Sequence, residues 1–292
     1  RPFDLGGELP LRAVLLELGR DEHVLVLVVH HAAADGWSMG RLLEDLARAY
    51  RARVAGEAPD YEGLLVQYAD YALWQRALLG EEADPESVIG GQLAYWRRTL
   101  AGLPVELALP ADRPRPLRPG RAAGTVALRL APELVSGMEA LARARGATPF
   151  MVLHAAVCAL LGRLGAGEDI AIGTPVAGRA DASLDRLVGF FVNTLVLRLD
   201  LGGDPGFGEL VSRSREVCLD AYMNQDVPFE RLVEVLDPPR VLGRQPLFQT
   251  MLVLNGGPEG SFAAPGLEVR PMEVAAESAK FDLCFTFTEA GG

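Results

Sequence analysis

His23-Val24-Leu25-Val26-Leu27-Val28-Val29-His30-His31-Ala32-Ala33-Ala34-Asp35-Gly36 is the most informative stretch of the 292-residue chain. Its first half is an unbroken apolar run rich in β-branched residues, which predicts a fully buried strand ending at His30. Upstream, residues 11–18 (Leu-Arg-Ala-Val-Leu-Leu-Glu-Leu) predict another strand, and Gly19-Arg20-Asp21-Glu22 the turn between the two. The pair is expected to form an antiparallel hairpin in a sheet covered on both faces. Downstream, His31 to Gly36 is a short loop. Met39, Leu42, Leu43, Leu46 and Tyr50 then fall at helical spacing, with Ser38 as the expected N-cap.

Helices are predicted over about 64–79 and 87–101, the second stopped by Gly102 and Pro104. The Pro-rich stretch 102–120 reads as a crossing connection. Gly124 to Leu130 alternates as a strand does. Pro132 to Arg145 and Pro149 to Leu164 are expected helices, the latter capped by Thr148. Asp169 to Gly173 is an expected strand and Leu187 to Leu201 a long one. Phe207 to Met223 is a helix, and Pro228 opens a short one through Leu236. Leu247 to Leu254, Leu267 to Glu273 and Phe281 to Thr288 complete the strands. Alternating strands and helices with mixed connections indicate an α/β sandwich.

The chain is long enough for two ordinary domains or one large one, and its 49% hydrophobic content excludes disorder. Lys and Arg number 28 against 39 Asp and Glu, a net charge of −11 that disfavours nucleic acid as a partner. The one cationic stretch, Arg113 to Arg121, is interrupted by prolines, has no interleaved aromatics, and reads as an extended linker. No apolar run is read as reaching the roughly 18 residues that span a bilayer, so no membrane association is expected. Arg1 to Leu5 does not resemble a signal peptide. Cys158, Cys218 and Cys284 are far apart and outside CxxC spacing; they are expected to fill the core and suit a reducing cytoplasm.

Neighbouring residues on extended backbone point to opposite faces, so His30 and His31 are expected to look different ways. No metal site is expected, since further ligands at HxxxH or CxxC spacing are lacking. One imidazole could project into a cavity as a base or hydrogen-bond partner, or both could merely terminate a strand, as isolated His23 and His154 are read to be structural. Asp35 could orient an imidazole or make a structural ion pair, and Gly36 is expected to let the chain turn sharply into the helix. With no GxSxG element and no placed cysteine, a histidine here would act directly on a bound amine or hydroxyl.

The heptapeptide His30-His31-Ala32-Ala33-Ala34-Asp35-Gly36 matches an HHxxxDG pattern, and other elements follow in order. Arg1-Pro2-Phe3-Asp4-Leu5 through Pro10-Leu11-Arg12 precedes it. Tyr68-Ala69-Asp70-Tyr71-Ala72-Leu73-Trp74-Gln75 fits YxDYAxWQ, and Ile172 to Arg179 with Val188 to Thr194 forms the next element. Asn224-Gln225-Asp226-Val227-Pro228-Phe229-Glu230 fits QDxPFE, and Arg240 to Gln249 is the last. Over its whole length the sequence resembles the condensation domains of non-ribosomal peptide synthetases, members of the chloramphenicol-acetyltransferase-like superfamily.

That resemblance implies two α/β-sandwich lobes arranged as a V-shaped pseudo-dimer, the first lobe incomplete because family members carry a further N-terminal segment. Residues 1–60 would be the remainder of the N-terminal lobe, 61–120 a helical and Pro-rich bridge, and 121–292 the C-terminal lobe. His31 would be the catalytic residue, in a tunnel reached from both ends by phosphopantetheine arms. The arms would be supplied by donor and acceptor carrier proteins, with an adenylation domain flanking and no cofactor bound directly. The implied reaction is amide formation between a donor aminoacyl or peptidyl thioester and an acceptor aminoacyl thioester, in the cytoplasm. The His31 to Ser38 stretch looks closer to domains that join an L-configured donor.

By the same analogy Asp35 would pair with Arg179 as a guanidinium–carboxylate fork fixing the His31 loop. Gly36 would allow close substrate approach and offer an N–H to an oxyanion. Asn193 is open between a polar cap and a tunnel contact; Trp37 and Ser278 are further candidates near substrate. Tyr71 and Trp74 are expected to pack their helix. The competing functions are a coenzyme A-dependent acyltransferase, an epimerisation domain, and a non-catalytic recruitment module. The last usually lacks the histidine present at position 31.

Overall fold

The computed structural model describes residues 1–113, 120, 122–239, 241, 243–255, 262–272 and 279–288. Leu11–Glu17 (β1) and His23–Val29 (β2) form the expected antiparallel hairpin, in register from Leu11 opposite Val29 to Glu17 opposite His23. Its burial differs from expectation: most β1 side chains are exposed, with Leu15 at 66% and Leu25 of β2 at 45%. Among the described residues no third strand pairs with either. An apolar run predicts the wish to be covered, and coverage needs a second layer.

The chain forms two units. One comprises Arg1–Leu78, Ala177–Val192 and Gly257–Met272; the other Leu79–Val176, Asn193–Gly256 and Glu273–Gly292. Residues 177–192, which sequence order would group with the C-terminal segment, therefore fold with the hairpin and the histidine loop. The first unit also holds Gly36–Val54 (α1) and most of Tyr68–Leu79 (α2).

The second unit is built on Asp169–Val176 (β3), Asn193–Asp200 (β4), Thr250–Asn255 (β5) and Leu283–Thr288 (β6), in the order β4-β3-β5-β6. β3 pairs antiparallel with β4 and parallel with β5, and β5 pairs parallel with β6. Residues 170–174 and 195–197 are buried without alternation, the pattern of strands covered on both faces. Helices Val88–Thr99 (α3), Pro132–Ala144 (α4), Pro149–Leu161 (α5), Phe207–Met223 (α6) and Phe229–Leu236 (α7) complete this mixed α/β unit. Trp96, Leu161, Ile170, Ile172, Leu197, Leu199 and Leu252 are fully buried in it.

Several boundaries move for identifiable reasons. Residues 187–192 are buried in part but are not a strand, because their backbone is bonded by side chains of the histidine loop. Residues 123–130 and 267–272 show alternation without forming strands; 122–129 are exposed. Pro149–Ala166 does satisfy the length and apolarity of a membrane-crossing segment, contrary to expectation. In this fold Met151, Val152, Leu153, Ala155, Val157, Cys158 and Leu161 of that segment are core residues. Cys158 and Cys218 are buried as expected, whereas Cys284, on β6 at the edge of the sheet, is exposed.

Candidate functional site

β2 hands the chain to the histidine loop with one more hairpin bond, from His30 N–H to Pro10 O at 2.8 Å. The two imidazoles then part company. His30 Nδ1 accepts the Ala32 N–H at 3.1 Å, and its ring packs edge-on to Phe3 with centroids 5.7 Å apart. His31 is exposed, its Nδ1 lies 2.9 Å from Ala34 O, and its ring meets Phe190 at 5.1 Å and 86°. A carbonyl can only accept, so His31 Nδ1 carries a proton, and of the two neutral tautomers this bond selects the one with its lone pair on Nε2. That is the tautomer a proton acceptor needs.

Asp35, at the base of the loop, is 4% exposed and is the N-cap of α1. Ser38, expected there, sits in the first turn instead. The spacing Asp-x-x-Ser explains the exchange: Oδ1 of Asp35 accepts both the Ser38 N–H at 2.9 Å and the Ser38 hydroxyl at 2.7 Å. Oδ2 accepts the Phe191 N–H at 3.0 Å, and Asp35 N–H donates to Gly189 O at 3.1 Å. Burial works against the charged carboxylate, but these bonds and the Arg179 charge outweigh it and hold Asp35 below its ordinary value of 3.8.

Arg179 reaches this carboxylate by a single contact of 3.5 Å, not by a two-bond fork. Its guanidinium also donates to Ser38 Oγ at 3.1 Å and to Leu184 O, and lies 4.0 Å over the Phe191 ring. The expected fork fails because the shorter approaches to Oδ1 are taken by Ser38. Burial lowers the Arg179 pKa, and Asp35 counteracts it. Ser38 is the shared centre, since its fully buried hydroxyl also accepts the Gly189 N–H at 3.1 Å.

The two glycines flanking this network differ. Gly178 has φ +65° and an added Cβ would lie 1.9 Å from Phe191 O, so only glycine fits. Gly36 has no positive φ, and an added Cβ would meet nothing within 4 Å. The sharp turn expected of Gly36 is therefore not its reason for being there; what it leaves is open space beside the loop. Trp37 is half-buried and donates its indole N–H to Asp185 O at 3.1 Å, as does Arg41 Nε. From α2, Tyr68 donates its hydroxyl to Phe190 O at 2.7 Å and Tyr71 packs on Phe191, while Trp74 is half-exposed.

In the second unit, Asn193 uses its full side-chain capacity on backbone. Nδ2 donates to Gln225 O and Val227 O, and Oδ1 accepts from Thr194 N–H and Phe229 N–H. The same 224–229 segment is held by Gln92, bonded to Asp226 and to Val227 N–H, and by Trp96 Nε1, which donates to Asn224 O at 2.8 Å. Gln92, Trp96, Tyr68 and the linking role of Ser38 were not legible as site residues. The Asp-x-x-Ser spacing and the place of Tyr68 at the head of the YxDYAxWQ element were the signals that could have found Ser38 and Tyr68. Ser278 lies outside the described residues.

A histidine loop clamped in this way by residues 35, 38, 179 and 189–191 accompanies a condensation-domain family model that matches residues 1–292. The chain belongs to the condensation-domain family. This condensation domain is 54% identical, over 99% of its length, to a probable non-canonical nonribosomal peptide synthetase, CymA, of Salinispora arenicola. It is 52% identical, over 98% of its length, to a dimodular nonribosomal peptide synthase of Bacillus subtilis. It spans only 4% and 12% of those two relatives. Among solved structures it is similar to the X-domain from teicoplanin biosynthesis, with TM-score 0.91 and 39% identity over 100% of this chain and 65% of that one. A four-domain nonribosomal peptide synthetase bound to AMP and glycine matches 86% of this chain and 18% of its own, with TM-score 0.73 and 28% identity.

Proposed function

We propose that this condensation domain forms a peptide bond by aminolysis of a thioester, with His31 as the catalytic residue. The acceptor amine attacks the donor thioester carbonyl; a C–N bond forms, the C–S bond breaks, and the thiol leaves. His31 Nε2 takes the proton the amine must lose and returns it to the departing sulfur. The observation that carries this assignment is the His31 Nδ1–H to Ala34 O bond, which leaves Nε2 as the acceptor. A thioester is already activated, so alignment of two tethered reactants supplies much of the acceleration and no covalent enzyme intermediate is required.

Gly36 is at the first position of α1, whose early N–H groups have no acceptor within the helix, and supports the developing oxyanion from the open space beside it. Asp35, Arg179 and Ser38 fix the loop without touching substrate. The substrates arrive on phosphopantetheine arms of donor and acceptor carrier proteins, beside an adenylation domain of the same cytoplasmic synthetase, and the donor residue is L-configured. The domain itself binds no further cofactor.

One observation favours a second role, partner recruitment: a solved X-domain with TM-score 0.89 and 39% identity to this chain was captured in complex with OxyB. Mass-spectrometric detection of the condensed product separates the two. Loaded carrier proteins with an L-configured donor should give dipeptidyl product, a D-configured donor should give little, and coenzyme A thioesters should not replace them. Absence of product with both donor configurations would leave recruitment.

A further inference from the structure

We propose that Phe190 is a positioning residue that fixes the plane of the His31 imidazole; this rests on the assignment of His31 above. The bond from Nδ1 to Ala34 O anchors one ring atom and leaves the imidazole free to rock about that contact. Phe190 supplies the second restraint, a perpendicular ring 5.1 Å away at 86°. Together they leave one orientation for the Nε2 lone pair.

A restraint is only as firm as its support, and Phe190 is supported on both sides. Gly189 is bonded through its N–H to Ser38 Oγ and through its carbonyl to Asp35 N–H. The Phe190 carbonyl accepts the Tyr68 hydroxyl at 2.7 Å, and the Phe191 N–H donates to Asp35 Oδ2 at 3.0 Å. Gly189 is so close to its neighbours that a Cβ there would lie 2.4 Å from the Tyr68 ring and 2.7 Å from Phe191. Phe191 is buried with Tyr71, Leu184 and Leu187, whereas Phe190 is half-buried and its ring contact is with His31. Asp35 thus acts on the imidazole twice, through the loop that carries it and through the backbone that carries Phe190.

The test compares Phe190→Leu, which keeps apolar bulk without a ring, with Phe190→Tyr, which keeps the ring, in the full-length protein with loaded carrier proteins. Phe190→Leu should lower kcat by about ten- to a hundredfold with KM unchanged, and Phe190→Tyr should restore it. In a His31→Ala background Phe190→Leu should cause no further loss, because its effect passes through the ring that is gone. Independently of turnover, nuclear magnetic resonance of the His31 imidazole should show a ring-current shift that Phe190→Leu removes and Phe190→Tyr keeps. Equal losses from Phe190→Leu with and without His31, or an imidazole resonance unmoved by it, would overturn the proposal. Normal turnover of His31→Ala would instead refute the assignment of His31, and the resonance experiment would still decide on Phe190. Should Phe190→Leu fail to melt cooperatively, Phe190→Met takes its place in every comparison.

Discussion

Asp35 and Arg179, 144 positions apart in sequence, lie 3.5 Å from one another with their side chains 3% and 2% exposed. Two buried opposite charges at this distance stabilise mainly by not leaving one another alone. Asp35→Ala should therefore cost about 3–5 kcal/mol, because it strands the guanidinium and removes the acceptor for Ser38 and Phe191. Chemical denaturation checks this. An Asp35→Ala protein as stable as its parent would show that the pair contributes nothing.

The glycines at 36 and 178 make opposite forecasts. Gly178→Ala places a methyl group against Phe191 O and forces a residue with a Cβ to φ +65°, so a loss of about 1–3 kcal/mol from strain alone is expected. Gly36→Ala meets nothing within 4 Å and should leave stability within about 0.5 kcal/mol of the parent. It should nonetheless lower the condensation rate, since the open space it fills is assigned to substrate. Paired melting and product-formation measurements test both.

The elements legible in sequence were those whose signal is local. The hairpin, the Thr148 cap and the helix Phe207–Met223 follow from turn residues, caps and periodicity, and the family resemblance pointed to the pairing of Asp35 with Arg179. What was missed depends on distant partners. Leu187 to Val192 has the composition of a strand, yet Asp35 and Ser38 take its backbone bonds. Ser38 could be read as a cap, but not as the hydroxyl shared with Arg179 and Gly189. Gln92 and Trp96 looked like ordinary helix residues because the segment they hold begins more than a hundred positions later.

Acid should destabilise the protein in two windows. His154 is wholly buried between Ser214 Oγ and Cys158 Sγ, and burial pushes its pKa down from 6.5 to about 4. The unfolded chain thus takes up a proton first: stability is complete above pH 6.5 and declines as pH falls towards 4, by about 3 kcal/mol across the window. Asp35, held below 3.8, adds its own loss only below that value. His154→Gln should flatten the upper window and leave the lower one. Denaturation curves from pH 7 to 3 read both, and an unchanged upper slope would contradict the buried neutral imidazole.

Asn193 and Gln92 hold the 224–229 segment from two sides, entirely through that segment's backbone and Asp226. Each hydrogen bond is worth about 1 kcal/mol net, so Asn193→Ala should cost about 2–3 kcal/mol. Hydrogen exchange localises the effect. The amides of Val227 and Phe229 should lose protection in Asn193→Ala and in Gln92→Ala, and the two substitutions together should not be additive. Protection equal to the parent's would show that the segment is held by its packing alone.

Replacement of His31 bears most directly on function. Its ring is exposed and caps no element; among the described residues its partners are Ala34 O and the Phe190 ring, so His31→Ala should fold with little change in melting temperature. Loss of a proton acceptor at the reacting amine should lower product formation by about 10²–10⁴-fold. Carrier-protein binding should be unaffected, because the contribution of Nε2 is made to the transition state and not to docking. His31→Gln, which restores a polar group but cannot take up a proton, distinguishes proton transfer from simple hydrogen bonding to the amine. If glutamine rescues most of the rate, His31 positions the nucleophile; if it behaves as alanine does, the imidazole moves the proton. Near-parental turnover of both variants would remove His31 from the chemistry and leave alignment of the two thioesters as the source of the rate.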